Sequence, residues 1–291
     1  MPNHVTNILT VVDGSTKEVF DKIMVPKRLK YPEDESCKDN NELSLDFNTI
    51  VPMPLTLKLI SGSSENDAIA AYLFKNVISM DDIKATLPAS VAESAVWGDL
   101  FGAFTRRTIK DQNEYDEMVK RYVGKWDNGN DKDHNTEVEF LALGKQYVDN
   151  LREHGATTWY GWCNENWGTK WNAYECYFDE DSDYVEFDTA WACPYPVIEQ
   201  LSRMFPEHTF QIKYADEDTA YNCGKITYKN GETLDEFIPE GGSKEAFEIY
   251  FDVKGDNEDY VYDEAKGTYV YVDEDEVVVE KPIDDDKLPF E

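Results

Sequence analysis

The strongest constraint on the fold is a change of hydrophobic period partway along the chain. Over residues 136–151 apolar side chains recur at helical spacing, with Phe140, Leu143, Tyr147, Val148 and Leu151 forming a stripe. Thr136 and Glu139 make a capping box at its start, and Gly155 supplies the C-terminal stop. Beyond Gly155 the period becomes two. Residues 170–178 put Asn172, Tyr174, Cys176 and Phe178 on one face, and residues 184–191 do the same with Val185, Phe187, Thr189 and Trp191. The acidic turn between them makes this an antiparallel hairpin. Pro194 and Pro196 then introduce a helix bearing Val197, Ile198, Leu201, Met204 and Phe205, closed by Pro206. A strand follows, with Phe210, Ile212 and Tyr214 directed inward.

The beginning of the chain supplies the missing partners. Residues 5–12 are β-branched and apolar and end at Asp13-Gly14, a first strand. Ser15 and Glu18 cap a short helix whose apolar face is Val19, Phe20 and Ile23. Residues 43–50 read as a second strand that runs into Pro52 and Pro54, a fixed and extended connector. From there the pattern is helical, with Ala68, Ile69, Tyr72, Leu73 and Val77 at one spacing and Tyr115, Met118, Val119 and Tyr122 at another. Residues 126–133 are a polar loop.

The order strand–helix–(insertion)–strand–strand–helix–strand is that of a split βαβ unit. The predicted fold is therefore α+β: a ferredoxin-like antiparallel sheet with helices on one face, a helical insertion, and a β-rich acidic C-terminal extension. The predicted domains are a core of 1–60 plus 135–230, an insertion of 61–134, and an extension of 231–291. Within the extension, Asn230-Gly231 marks a hairpin. Ser243 opens a helix with Phe247, Tyr250 and Phe251, and residues 260–262 pair with 268–272 across Lys266-Gly267. From Phe251 onward there are fifteen acids and four lysines, and the last dozen residues read as a mobile tail.

Charge narrows the function classes. With 28 basic and 60 acidic residues the net charge is −32. Such a field opposes direct binding to duplex nucleic acid; it serves either solubility alone or, in the sharper reading, the occupation of a basic partner protein. No run of eighteen apolar residues is present, so no membrane span is expected, and the N-terminus carries no secretory pattern, so a cytoplasmic location is expected. Five widely spaced cysteines without a Cys-x-x-Cys pair fit reduced thiols. No nucleophile elbow, phosphate loop or dinucleotide glycine motif occurs, so no catalytic residue and no cofactor is assigned.

Candidate binding residues concentrate in residues 159–174, which hold four of the seven tryptophans. In one reading Trp162, Asn164, Asn166, Trp167, Lys170, Trp171 and Asn172 form a stacking platform with amide donors, able to hold a base or a sugar. In the other they are a packing joint whose tryptophans fill the gap between helix and sheet while the asparagines bond turn backbone. Asp216 and Asp218 follow a strand end and read either as a strand-terminating polar loop or as the candidates for a divalent ion. Asp179, Asp181 and Asp183 imitate the start of a calcium loop, but Tyr184 stands where its glycine is needed.

Several segments together resemble a known family. They are residues 1–7 (Met-Pro-Asn-His-Val-Thr-Asn), 47–54 (Phe-Asn-Thr-Ile-Val-Pro-Met-Pro), 166–173 (Asn-Trp-Gly-Thr-Lys-Trp-Asn-Ala), 189–191 with the proline-bounded helix, and 214–218 with Asn222-Cys-Gly. In this order they resemble the YubB-type, or Api-like, proteins of plasmids and bacteriophages, which carry a ferredoxin-like domain. The resemblance covers roughly residues 1–60 and 135–230 and does not include the acidic segment after about 240. It implies the fold and a mobile-element context, with an anti-defence role by association and no catalytic residue to carry over. Two functions follow as expectations. One is a non-enzymatic acidic protein that blocks a basic host surface, as a nucleic-acid mimic would. The other is a small-ligand or single-strand-binding module built on residues 159–174.

Overall fold

The computed structural model describes residues 3–93, 106–125, 132–179 and 182–272. Most of the 126–133 loop, Asp181 and the C-terminal tail lie outside them. In chain order the principal elements begin with β1 (His4–Asp13), α1 (Thr16–Ile23), β2 (Met24–Pro26) and β3 (Leu43–Leu45). The helical region contributes α2 (Ser63–Asn76), α3 (Gln112–Tyr122) and α4 (Glu137–His154). Then come α5 (Trp159–Asn166), β4 (Tyr174–Phe178), β5 (Tyr184–Ala190), α6 (Tyr195–Met204) and β6 (Thr209–Ala215). The chain continues with β7 (Cys223–Lys229), β8 (Glu232–Phe237), α7 (Lys244–Lys254), β9 (Tyr260–Asp263) and β10 (Thr268–Tyr271).

Six strands form one antiparallel sheet in the order β4-β5-β1-β6-β7-β8. Its first four members have the ferredoxin-like arrangement, with β1 central: Thr6 faces Asp188 on one side and Ala215 on the other. The β7–β8 hairpin extends this sheet, and its turn is the expected Asn230-Gly231, both residues at positive φ. Ser202 on α6 accepts a 2.8 Å hydrogen bond from the Gly231 amide and so fixes the hairpin to the core. The segment predicted as a strand over 43–50 is extended only at β3, which pairs with β2 in a separate ribbon. At Phe47–Thr49 it tightens into a 3-10 turn, because Asp46 accepts the Asn48 amide.

One core lies on the sheet face presented by Val5, Leu9, Val185, Phe187, Phe210 and Ile212, covered by α1, α5 and α6. The inward phases of β1, β5 and β6 follow the alternation in the sequence. Two places break it. Glu175 adopts φ +43, and the β4–β5 register shifts between Tyr174 and Tyr177. Cys176 and Phe178 therefore reach the core, whereas Tyr174 is turned away from it and hydrogen-bonds His4 Nδ1 at 2.7 Å. Trp191 adopts φ +73 just after β5 and is 54% exposed, although it shares the phase of buried Thr189.

A second core is wholly helical: α2 packs along α4, and Ile69, Tyr115, Phe140, Tyr147 and Leu151 are buried within it. The apolar stripe of α4 is spent here, with the Thr136–Glu139 capping box and a left-handed Gly155 at its ends as expected. The third buried cluster lies on the opposite face of the sheet, beneath α7. Phe247 packs there with Ala215 and Cys223, Lys254 Nζ donates to Thr6 Oγ1 at 2.8 Å, and Lys213 pairs with Asp252 at 2.5 Å. The helices of the ferredoxin-like unit share one face, and α7 from the acidic extension covers part of the other.

Candidate functional site

Residues 159–166 form a helix, and helical geometry sorts the aromatic stretch into sides. Trp159 and Cys163, one turn apart, share a side, and Trp162 and Asn166 share another. Trp162 is buried edge-on against Trp167, with ring centroids 5.7 Å apart. Asn164 and Asn166 each donate an amide N–H to the carbonyl four residues back, those of Tyr160 and Trp162, at 2.8 and 2.9 Å.

The turn after α5 ties the sheet to the proline connector. Trp167 Nε1 donates to the Val51 carbonyl at 2.9 Å while its ring meets Phe47 edge-on. Gly168 reverses the chain at φ +73, and a Cβ there would sit 2.7 Å from Pro196 Cδ. Thr169 Oγ1 donates to the Ala190 carbonyl at 2.8 Å and so closes the end of β5. Asn172 Oδ1 accepts from the amides of Phe47 and Ala173, both at 2.9 Å, and its Nδ2 donates to Asp46 Oδ1 at 2.7 Å.

Beside this joint is a concavity of about 400 Å³. The connector supplies one wall with Met53, Lys58, Leu59 and Ile60. The α5 helix and its end supply Trp159, Cys163 and Trp167, and the following turn supplies Lys170, Trp171 and Asn172. The helical core holds the connector in place: Tyr147 Oη donates to the Ile60 carbonyl at 2.8 Å, and Asn150 Nδ2 donates to the Thr56 carbonyl at 2.9 Å. Buried Glu65 on α2 accepts hydrogen bonds from the Thr157 hydroxyl and, at 3.3 Å, from the Gly62 amide, and burial raises its carboxyl pKa above the ordinary value. The pocket thus lies between elements anchored in two different cores.

Of the residues singled out from sequence, the structure brings Trp167, Lys170, Trp171 and Asn172 together at the pocket. Trp162, Asn164 and Asn166 do not line it. Lys170 Nζ lies 4.7 Å from the Trp171 ring centroid and 5.8 Å from that of Tyr160, both within cation–π range. Cys163 has its sulfur 3.7 Å from Met53 Sδ, and burial pushes its thiol up to about 12, so it stays protonated and poorly nucleophilic at neutral pH. Sequence reasoning missed Met53, Lys58, Leu59, Ile60, Trp159 and Cys163. For Trp159 the signal was available as its four-residue spacing from Cys163; for the connector there was none.

The second sequence candidate is differently arranged. Asp216 is buried, with Oδ1 accepting the Asp218 amide at 2.6 Å and Oδ2 accepting Asn222 Nδ2 at 2.9 Å. Asp218 Oδ2 accepts Asn3 Nδ2 at 3.2 Å. These carboxylates organise their own loop, and among the described residues no group of three or more His, Cys, Asp or Glu is placed to hold a metal ion.

Residues 170–269 match the family model described as a ferredoxin-like domain in Api92-like protein. The matched span runs from the turn at Lys170 through α7 into β10. The likeness to Api-like proteins therefore extends into the acidic segment beyond residue 240, contrary to the expectation from sequence. A crystal structure of protein api92 from Yersinia pseudotuberculosis aligns over 83% of this chain and 99% of that one, at 12% identity and a TM-score of 0.35. So loose an overlay transfers neither position nor role. No curated protein matches the chain. No helix among the described residues is long and apolar enough to cross a membrane.

Proposed function

We propose that this chain is a non-enzymatic binding protein whose pocket at Trp159, Trp167 and Trp171 takes a small ligand with a flat ring. The observation that carries this reading is the concavity itself: three indoles and a thioether line a space of about 400 Å³, within the range of ligand clefts. Tryptophan supplies a large apolar face with a polar edge, a combination suited to stacking against a ring. The test is a tryptophan-fluorescence titration with a panel of ring-bearing ligands. Quenching by some member, lost in Trp171→Ala with an unchanged near-UV circular dichroism spectrum, supports the reading. Trp171 is the residue to change because it is at the surface, whereas Trp167 is buried. A flat response across the panel refutes it.

A second reading rests on the net charge of −32. An acidic surface of this strength can occupy a basic partner protein, and a YubB-type mobile-element origin would give that an anti-defence context. Capture of a basic, nucleic-acid-handling protein from host lysate at low salt, released at high salt, supports it. Recovery of no such partner removes it.

A further inference from the structure

The polar side-chain groups around the pocket restrict its ligand further. Asn172 has spent its carbonyl on the Phe47 and Ala173 amides and its Nδ2 on Asp46, and the Trp167 indole N–H is spent on Val51. The remaining polar side-chain groups of the lining are the ammonium groups of Lys58 and Lys170 and the indole N–H groups of Trp159 and Trp171. All of them are donors. Among the described residues neither lysine forms an ion pair or a hydrogen bond to an acid. On a chain of net charge −32, two cations line one apolar pocket without forming an ion pair there.

We infer that this pocket binds a nucleoside phosphate, with the ring against the indoles and the phosphate at the lysines, and that it does so without reading the base. The inference rests on the pocket reading above and names its ligand class. A lining whose free polar side-chain groups are cationic or N–H donors calls for an acceptor-rich, anionic ligand. The lining offers no free side-chain acceptor for the exocyclic amino groups of adenine, cytosine or guanine, because the one side chain able to pair a donor with an acceptor, Asn172, is occupied by backbone and Asp46. The lysines, the donors that could read a guanine edge, are engaged by the phosphate. Stacking on aromatic rings is tolerant of base identity. Lys58 also borders a neighbouring cavity lined by Glu33, Asp34 and Glu35, so Lys170, flanked by the Tyr160 and Trp171 rings, is the better-placed phosphate partner.

The experiment titrates the full chain with AMP, CMP, GMP and UMP and with the four parent nucleosides, at low and high salt, reading tryptophan fluorescence. Each nucleotide is expected to bind about tenfold or more tightly than its nucleoside, the increment of a charge-assisted hydrogen bond. The four nucleotides should agree within about threefold, since stacking is sequence-tolerant. High salt should narrow the gap between nucleotide and nucleoside, and Lys170→Gln should remove most of it while leaving nucleoside affinity in place. A single-stranded trimer with and without a 5′-phosphate then separates a free nucleotide from a strand end. A preference for the phosphorylated trimer over the mononucleotide assigns the site to strand ends, the reverse assigns it to free nucleotides, and both uphold the inference. Nucleosides binding as well as nucleotides, a strong preference for one base, or a gap unchanged in both Lys170→Gln and Lys58→Gln would overturn it and leave the pocket reading standing. Quenching by none of these ligands overturns the inference. If other ring-bearing ligands do quench, the pocket reading survives it, and if nothing quenches the two fall together.

Discussion

The indole Nε1 of Trp167 donates a 2.9 Å hydrogen bond to the carbonyl of Val51, joining the end of the aromatic helix to the proline connector. One side chain thereby fixes both walls of the pocket while its ring fills the core against Phe47 and Trp162. Trp167→Ala should cost about 3–5 kcal/mol by leaving a cavity. Trp167→Phe keeps much of the volume but orphans the Val51 carbonyl, at about 1–3 kcal/mol. Urea unfolding of the two variants should rank them in that order. Equal costs would mean that the hydrogen bond, and not the packing, dominates.

Gly168→Ala meets two obstacles, a positive φ and the Pro196 ring 2.7 Å from the new Cβ. Gly267, at φ +67, has nothing within 4 Å of the same position. Both substitutions carry backbone strain of about 1–2 kcal/mol. Only Gly168→Ala adds a steric clash, so its melting temperature should fall further than that of Gly267→Ala.

Asn172→Ala removes the acceptor for two backbone amides and the donor to Asp46. A loss of about 2–4 kcal/mol is expected, the cost of leaving buried groups unpaired. Calorimetric unfolding checks it. A stability equal to that of the native chain would return Asn172 to the roster of free ligand-binding groups.

Lys30 offers a pH signature. Its ammonium is buried, donating to the carbonyls of Leu45 and Ala173 and to Ser44 Oγ, and burial brings its pKa down from 10.5 to about 8. The unfolded chain keeps this proton to higher pH than the folded one, so between about 8 and 10.5 unfolding takes up a proton and stability contributed by Lys30 rises with pH. That contribution is present above the unfolded pKa and lost as pH falls through the folded one. The stability difference between the native chain and Lys30→Met should therefore shift in favour of the native chain across this window, by up to about 3 kcal/mol. Parallel pH profiles of the two proteins would contradict the assignment.

Much of the fold was legible because its signals are local. The N-caps at Ser15 and Thr136, the glycine after His154, the Asn230-Gly231 turn and the alternation at Val185–Phe187 or Phe210–Ile212 depend on near neighbours in the chain. Of the two caps, the reciprocal box forms only at Thr136–Glu139, because the Ser15 amide donates to His208 Nε2 instead of to Glu18. Positive φ at Glu175 and Trp191 was not legible, since neither residue type favours that conformation; tertiary contacts impose it. The packing reading of Asn164, Asn166 and Trp162 was available from sequence, but their separation from the pocket required knowing that residues 159–166 are helical.

The sequence by itself determined most of the elements, their order and the sheet topology they allow, the helix at 159–166 and the 3-10 turn at 47–49 excepted, because period, caps and turn residues act over a few residues and few connections satisfy them. It also determined the charge, which needs no fold. The tertiary structure decided what the aromatic stretch does. Trp159, Trp167, Lys170 and Trp171 become one site only when the connector carrying Met53 and Lys58, more than a hundred residues earlier, is held against them from the helical core by Tyr147 and Asn150. That closure depends on burial and hydrogen bonds between distant segments, and no local pattern encodes it.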